Sequence, residues 1–215
     1  MDAIFRSTQQ ALHVAYLVMS EPVREKNGLR LTLIRIIESL GTLNKRQAAF
    51  LEYLYGSNDG TVNFGGLVPI EVRGQCAEVA SAVQTKLVDR EQWVILARFG
   101  QMGDERRPDG TVRLYFLKER SQAIQNLSKY LAGEFQSVSE LAMDCIIARH
   151  YVGEEKAKIS FRDLEKAFGA SHMTYKRAYD SILPRLKALE NRALDKLTEY
   201  FVRTGLVEGN ERAIA

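Results

Sequence analysis

Gly169 separates two segments of helical apolar periodicity between Ile159 and Leu183, and no other stretch limits the folding of this chain so tightly. Upstream, Phe161, Leu164, Ala167 and Phe168 recur at helical spacing. The glycine ends that helix because it enters left-handed backbone without a Cβ clash. Downstream, Ser171 is placed to cap a second helix by accepting a bond from a free backbone N–H. Tyr175, Ala178 and Ile182 then share one face that can pack on the first helix. Ser171, His172, Thr174, Lys176 and Arg177 are left facing outward. This is the outline of a helix-turn-helix, and short polar and basic groups near the start of a second helix suit reading of the major groove. An ordinary αα-hairpin with a solvated basic face has the same outline.

Charge sharpens the choice. The 215 residues carry a net charge of only +3, too little to identify a nucleic-acid binder. Between Lys158 and Arg203, however, ten Lys and Arg stand against six Asp and Glu, so the remainder of the chain is slightly acidic. Lys158, Arg162, Lys166, Lys176 and Arg185 flank the two helices and are candidates to track a phosphate backbone. The aromatic residues Phe161, Phe168 and Tyr175 sit at core spacing, which favours packing over base stacking.

Periodicity elsewhere predicts a mainly helical, all-α protein. Helices are expected over residues 2–20, Leu29–Leu40, Asn44–Tyr55, Ile70–Leu87 with Pro69 at its first position, and Glu91–Phe99 capped by Asp89. More follow at Ser121–Phe135, at Glu140–Tyr151 behind Ser137 or Ser139, and beyond Pro184. The run Gly100–Arg113 is turn-rich and reads as a surface loop or tight hairpin, with one small extended element at Val112–Leu117. The tail after Gly205 lacks periodicity and should fray. Three regions emerge: 1–56, 67–135 and 137–205. Leu186, Leu189, Ala193 and Leu197 offer either a dimer seam or an internal packing stripe.

Several function classes find no support. There is no Gly-x-Ser-x-Gly elbow, Walker lysine loop or Rossmann fingerprint, and Gly65-Gly66 lacks a following Gly-Lys, so an enzyme is not expected. Asp104-Glu105 adjoins Arg106-Arg107 and reads as a charged loop. Cys76 and Cys145 stand far apart, and with His13, His150 and His172 they make no zinc pattern, so no metal or cofactor is expected. Cys145 reads as a small buried hydrophobe. No apolar run reaches membrane length and no basic-then-apolar leader opens the chain. A cytoplasmic protein with free thiols and no membrane partner is the expectation.

Asp89-Arg-Glu-Gln-Trp-Val-Ile-Leu-Ala-Arg-Phe-Gly resembles the opening helix of region 4 in bacterial sigma factors. Arg90-Glu91 match its Arg-Glu pair and Arg98-Phe99-Gly100 its closing Arg-Phe/Tyr-Gly. Trp93, Leu96 and Phe99 are spaced to be buried. Ile147-Ala-Arg-His-Tyr-Val-Gly repeats the pattern ahead of the helix pair. Gly169-Ala-Ser-x-x-Thr-Tyr-x-Arg stands where repressors and sigma-like factors usually have Gly-Val-Ser-x-x-Thr-Val-x-Arg. Glu165 departs from that pattern, which has Ala where the helices approach; a glutamate must splay outward and open the hairpin.

Residues 140–200 resemble phage late-gene antiterminators of the Q type, and the opening Ile4-Phe-Arg-Ser-Thr-Gln-Gln-Ala-Leu-His resembles prophage-encoded proteins of Gram-negative bacteria. The resemblance implies a DNA-binding transcription regulator, an antiterminator or activator that binds double-stranded DNA near a promoter and contacts RNA polymerase. Arg106, Arg107 and Arg113 would then lie in a loop touching DNA or a partner. The alternative is a helical protein-interaction module of phage origin that grips a host protein without sequence-specific DNA binding.

Overall fold

Seven helices and one two-stranded antiparallel sheet are present among the described residues, an all-α fold with a small extended element. The computed structural model describes residues 3–20, 69–135, 137–152 and 159–208. The helices expected at Leu29–Leu40 and Asn44–Tyr55, and the turn-rich run after Gly56, lie outside them. The chain divides into two compact units, Met1–Lys86 with Leu194–Ala215, and Leu87–Ala193.

In the first unit α1 (Thr8–Ser20) packs against α2 (Pro69–Lys86). Pro69 opens α2, where its missing N–H costs nothing. The helix expected from residue 2 starts only at Thr8, because the preceding chain is used otherwise. Phe5 is fully buried and pairs with Val207 as a parallel bridge. Its N–H donates to the Leu206 carbonyl at 3.0 Å, and its carbonyl accepts from the Glu208 N–H at 3.1 Å. The chain just past Gly205 therefore does not fray: Leu206 and Val207 are core residues. Thr8 and Thr198 join hydroxyls at 2.6 Å beside fully buried Leu12, Leu197 and Phe201. Cys76 is fully buried, and burial pushes its thiol up to about 12, which leaves it a packing residue.

The second unit runs α3 (Asp89–Phe99), β1 (Met102–Arg106), β2 (Val112–Phe116), α4 (Lys118–Ala132), α5 (Glu140–Tyr151), α6 (Phe161–Phe168) and the first part of α7 (His172–Arg203). Val88, not Asp89, is the N-cap of α3, since the Glu91 carboxylate accepts the Val88 N–H at 3.3 Å. Glu91 is consequently buried, and the inward stripe runs through Glu91, Val94, Ile95 and Ala97. Phe99 is buried as expected, but Trp93 and Leu96 are rotated to half-buried flanks. Helix α4 starts three residues before the expected Ser121, which puts Arg120 in its first turn. Ser139 caps α5 by accepting from the Ala142 N–H.

Arg120 fastens this unit together. Only 6 % exposed, it donates from Nε to the Ala97 carbonyl at 2.8 Å, from Nη1 to Gly100 at 2.8 Å and from Nη2 to Tyr151 at 2.7 Å. One guanidinium thus satisfies carbonyls at the C-terminal ends of both α3 and α5, where helix dipoles favour a cation. Its plane lies over the Phe116 ring, 4.7 Å from the centroid. Burial lowers its pKa to about 10, so it stays charged at neutral pH. The approach leaves no room at Gly100, where a Cβ would stand 2.3 Å from the Leu96 carbonyl oxygen and 2.9 Å from Arg120 Cβ.

A buried carboxylate adds a second knot. Glu190 of α7 is 5 % exposed; Arg98 Nη1 of α3 lies 2.8 Å from its Oε2 and His150 Nε2 of α5 lies 3.4 Å from its Oε1. Burial opposes its ionisation, yet His150, Arg98 and Tyr151 together hold its pKa below the usual 4.5. The chain past Pro184 does not form a separate helix: α7 is continuous through the proline. Proline inside a helix costs about 3 kcal/mol, but Ile182 and Leu186 on either side are each 1 % exposed, and burying two such side chains offsets a cost of that size. Leu186, Leu189, Ala193 and Leu197 are all buried within the chain and so unavailable as a dimer seam.

Arg120→Ala should lower the unfolding free energy by ~3–5 kcal/mol, because three carbonyls lose a charged donor at once. Arg120→Lys should recover only part of it, since an ammonium cannot reproduce the planar fork. Urea titrations followed by circular dichroism would measure both, and an alanine variant within about 1 kcal/mol of the parent would refute the assignment. Glu190 contributes stability at pH values above 4.5 that is lost as pH falls through its lowered folded-state pKa. The acid limb of the stability curve should therefore be shallower in Glu190→Gln than in the parent.

Candidate nucleic-acid interface

The helix pair α6–α7 closes on local interactions legible residue by residue. Ser160 caps α6: its Oγ accepts the Asp163 N–H at 3.1 Å, and the Asp163 carboxylate accepts the Ser160 N–H at 3.3 Å. Gly169 ends α6 in the left-handed region at φ 84°, its N–H donating to the Glu165 carbonyl. Ser171 then caps α7, accepting from the Thr174 N–H at 3.3 Å, and its hydroxyl also meets Thr174 Oγ1 at 3.1 Å. The turn is secured from within by Tyr175, whose hydroxyl accepts the Ala170 N–H at 3.2 Å.

Behind the turn, Leu164, Tyr175, Ala178 and Ile182 are all nearly or fully buried. Tyr175 is thus core rather than a stacking platform. Ala167, expected on the inner face of α6, is exposed; Phe161 and Phe168 are half-buried. A helix of only two turns buries one residue fully, and Phe161 instead packs on Tyr179 at 5.6 Å between centroids. Arg149 lies over the Phe161 ring, 4.7 Å from its centroid, and donates to the Ile159 carbonyl. This arginine, one residue before His150 and Tyr151, therefore holds the start of α6.

The predicted contact residues fall into three groups. Lys176 and Arg177 on α7, and Arg162 and Lys166 one turn apart on α6, are exposed. Among the described residues Arg162, Lys176 and Arg177 make no ion pair. Their charges are thus available to a ligand. Ser171, Thr174 and His172 are partly committed to the fold: the first two form the cap, and His172 Nδ1 lies 3.1 Å from Glu165 Oε2. Glu165 does splay outward, 42 % exposed, and the histidine is the partner it finds. Arg185 is held by Glu134, which follows α4, and that pairing draws it away from a phosphate-tracking role. Lys158 lies outside the described residues.

One member of the outward stripe was missed. Met173 is 44 % exposed and sits one turn before Lys176 and Arg177. It belongs to the i, i+3, i+4, i+7 row that continues to Asp180, so helical spacing alone locates it. Its thioether gives that row an apolar contact of the kind a thymine methyl accepts.

Of the two forms expected for Gly100–Arg113 the chain takes the tight hairpin, β1–β2: Arg106 and Arg113 lie on its strands, Arg107 opens its turn, and all three are exposed. The expected extended element, Val112–Leu117, supplies its second strand. Among the described residues no group of three or more His, Cys, Asp or Glu is placed to hold a metal ion, and no helix is long and apolar enough to cross a membrane.

Gly169→Ala should destabilise the protein by ~1–2 kcal/mol, because a Cβ is strained at this φ even though the surrounding space is open. A melting temperature equal to the parent's would show that the turn can relax to another conformation.

No protein-family model matches this chain, and no curated protein is significantly similar to it.

Proposed function

We propose that the protein is a DNA-binding transcription regulator whose α7 enters the major groove with its first two turns. The observation that carries this reading is the exposed, unneutralised Lys176 and Arg177 near the start of a helix seated behind a left-handed glycine turn. Met173 precedes them on the same row, and Arg162 and Lys166 offer charge on the neighbouring helix. Arginine can bond bidentately to guanine in the major groove, and lysine can neutralise a phosphate. The cap formed by Ser171 and Thr174 fixes the direction of the helix from which these groups project.

The likeness of the carboxyl-terminal half to Q-type antiterminators extends the proposal to contact with RNA polymerase and to activation or antitermination in the cytoplasm. The sigma-like segments support it in an indirect way. Arg98, Arg149, His150 and Tyr151 are anchors of the unit that carries the helix pair, so their likeness to sigma factors lies in scaffold rather than in contact residues.

The test begins with footprinting of the full chain on a bacterial genomic DNA library, to obtain a bound sequence. Arg177→Ala should then weaken binding to that sequence by ~1–3 kcal/mol with no change in unfolding midpoint. A variant that discriminates the selected site from random duplex as well as the parent does would remove α7 as the reading helix.

A further inference from the structure

The hairpin β1–β2 is bonded at both base and tip, while the side chains between them are exposed. Its register pairs Met102 with Phe116 at the base and Arg106 with Val112 near the tip. The base is fixed: Phe116 lies under Arg120, and the Leu117 N–H donates to the Gln101 carbonyl at 3.1 Å. Tyr115 covers Gly103 so closely that a Cβ there would lie 2.5 Å from its ring, which pins the register. Beyond that rung Asp104, Glu105, Arg106, Arg113 and Leu114 are all exposed, so neither face of the ribbon is packed. Five residues per strand give it a length of about 14 Å.

The tip is rigid as well. The Arg107 N–H donates to the Thr111 carbonyl at 2.8 Å and the Gly110 N–H to the Arg107 carbonyl at 3.0 Å, the bonding of a tight hairpin turn. Asp109 is consumed by that turn, its carboxylate accepting the Thr111 N–H at 2.8 Å and hydroxyl at 2.6 Å. Arg106 and Arg107 stand next to it, and among the described residues neither makes an ion pair, not even with Asp104 or Glu105. Arg106 is the last residue of β1 and Arg107 the first of the turn, and both are exposed. The ribbon therefore ends in two adjacent guanidinium groups without an ion pair among the described residues. Such a pair matches an array of phosphates, which the planar fork of arginine binds bidentately.

We infer that the β1–β2 ribbon is a second DNA contact, in which Arg106 and Arg107 grip backbone phosphates. The inference rests on the DNA-binding reading above. It assigns the ribbon to affinity rather than sequence choice, because phosphates carry no sequence information directly.

Anisotropy titrations of the full chain against a fluorescein-labelled random-sequence duplex, over a series of salt concentrations, would test it. The Arg106→Ala/Arg107→Ala variant should bind more weakly, and its slope of log affinity against log salt should be less negative by about two. The Arg106→Lys/Arg107→Lys variant should keep a slope near the parent's, which separates lost charge from a disturbed hairpin. If the parent itself shows no salt-dependent binding, the DNA-binding reading falls and takes the ribbon assignment with it. A parent that binds with a steep slope, unchanged in the alanine variant, overturns the ribbon assignment alone. An alanine variant that binds DNA normally yet fails in a transcription reporter would place an acidic protein surface against the ribbon instead, and equally overturn it.

Discussion

Arg120 is the residue on which the Leu87–Ala193 unit depends, because it resolves a problem that every helix end poses. The last carbonyls of α3 and α5 have no intrahelical donors, and both ends are turned inward. A single guanidinium supplies bonds to Ala97, Gly100 and Tyr151, and a buried cation is tolerated because each bond reaches a carbonyl at or beside a helix C-terminus. The hairpin base is set by the same group through Phe116. Two helix ends and a ribbon are thereby positioned by one side chain, with Gly100 leaving the space it needs.

Glu190 completes the frame from the opposite charge. It brings α7 into register with Arg98 of α3 and His150 of α5, so the helix carrying Lys176 and Arg177 is tied to the scaffold well beyond the turn that precedes it. Continuity of α7 through Pro184 matters for the same reason. A break there would free the first turns of the helix from the knot. In a continuous helix their direction is fixed both at the Gly169 turn and at Glu190, about five turns along the helix.

The candidate interface is thus a rigid one. Its exposed basic groups stand on elements whose ends are capped, at Ser160, Gly169 and Ser171, and the hairpin tip is locked by Asp109 and Thr111. Binding through such elements needs little ordering of the backbone, so the entropic cost falls on the lysine and arginine side chains. Two residues at the margins of the interface are committed to the fold instead: His172 faces Glu165, and Arg185 is held by Glu134.

The sequence by itself determined the local structure. The Gly169 turn, the Ser171 and Ser139 caps, the Pro69 start and the inward row Tyr175, Ala178 and Ile182 follow from backbone sterics, free N–H groups and helical period, all of which act within a few residues. Tertiary structure alone decided what depended on partners far along the chain. Phe5 leaves the first helix because Val207 offers it a bridge, and Trp93 yields the inner face of α3 because Glu91 turns back to cap the helix and Arg98 reaches Glu190. Pro184 stays helical because Ile182 and Leu186 are buried on either side. Arg120 and Glu190 read as ordinary surface charges in one dimension. Their roles exist only where carbonyls and cations separated by many residues converge, and charge taken out of water is stable only with such partners in place.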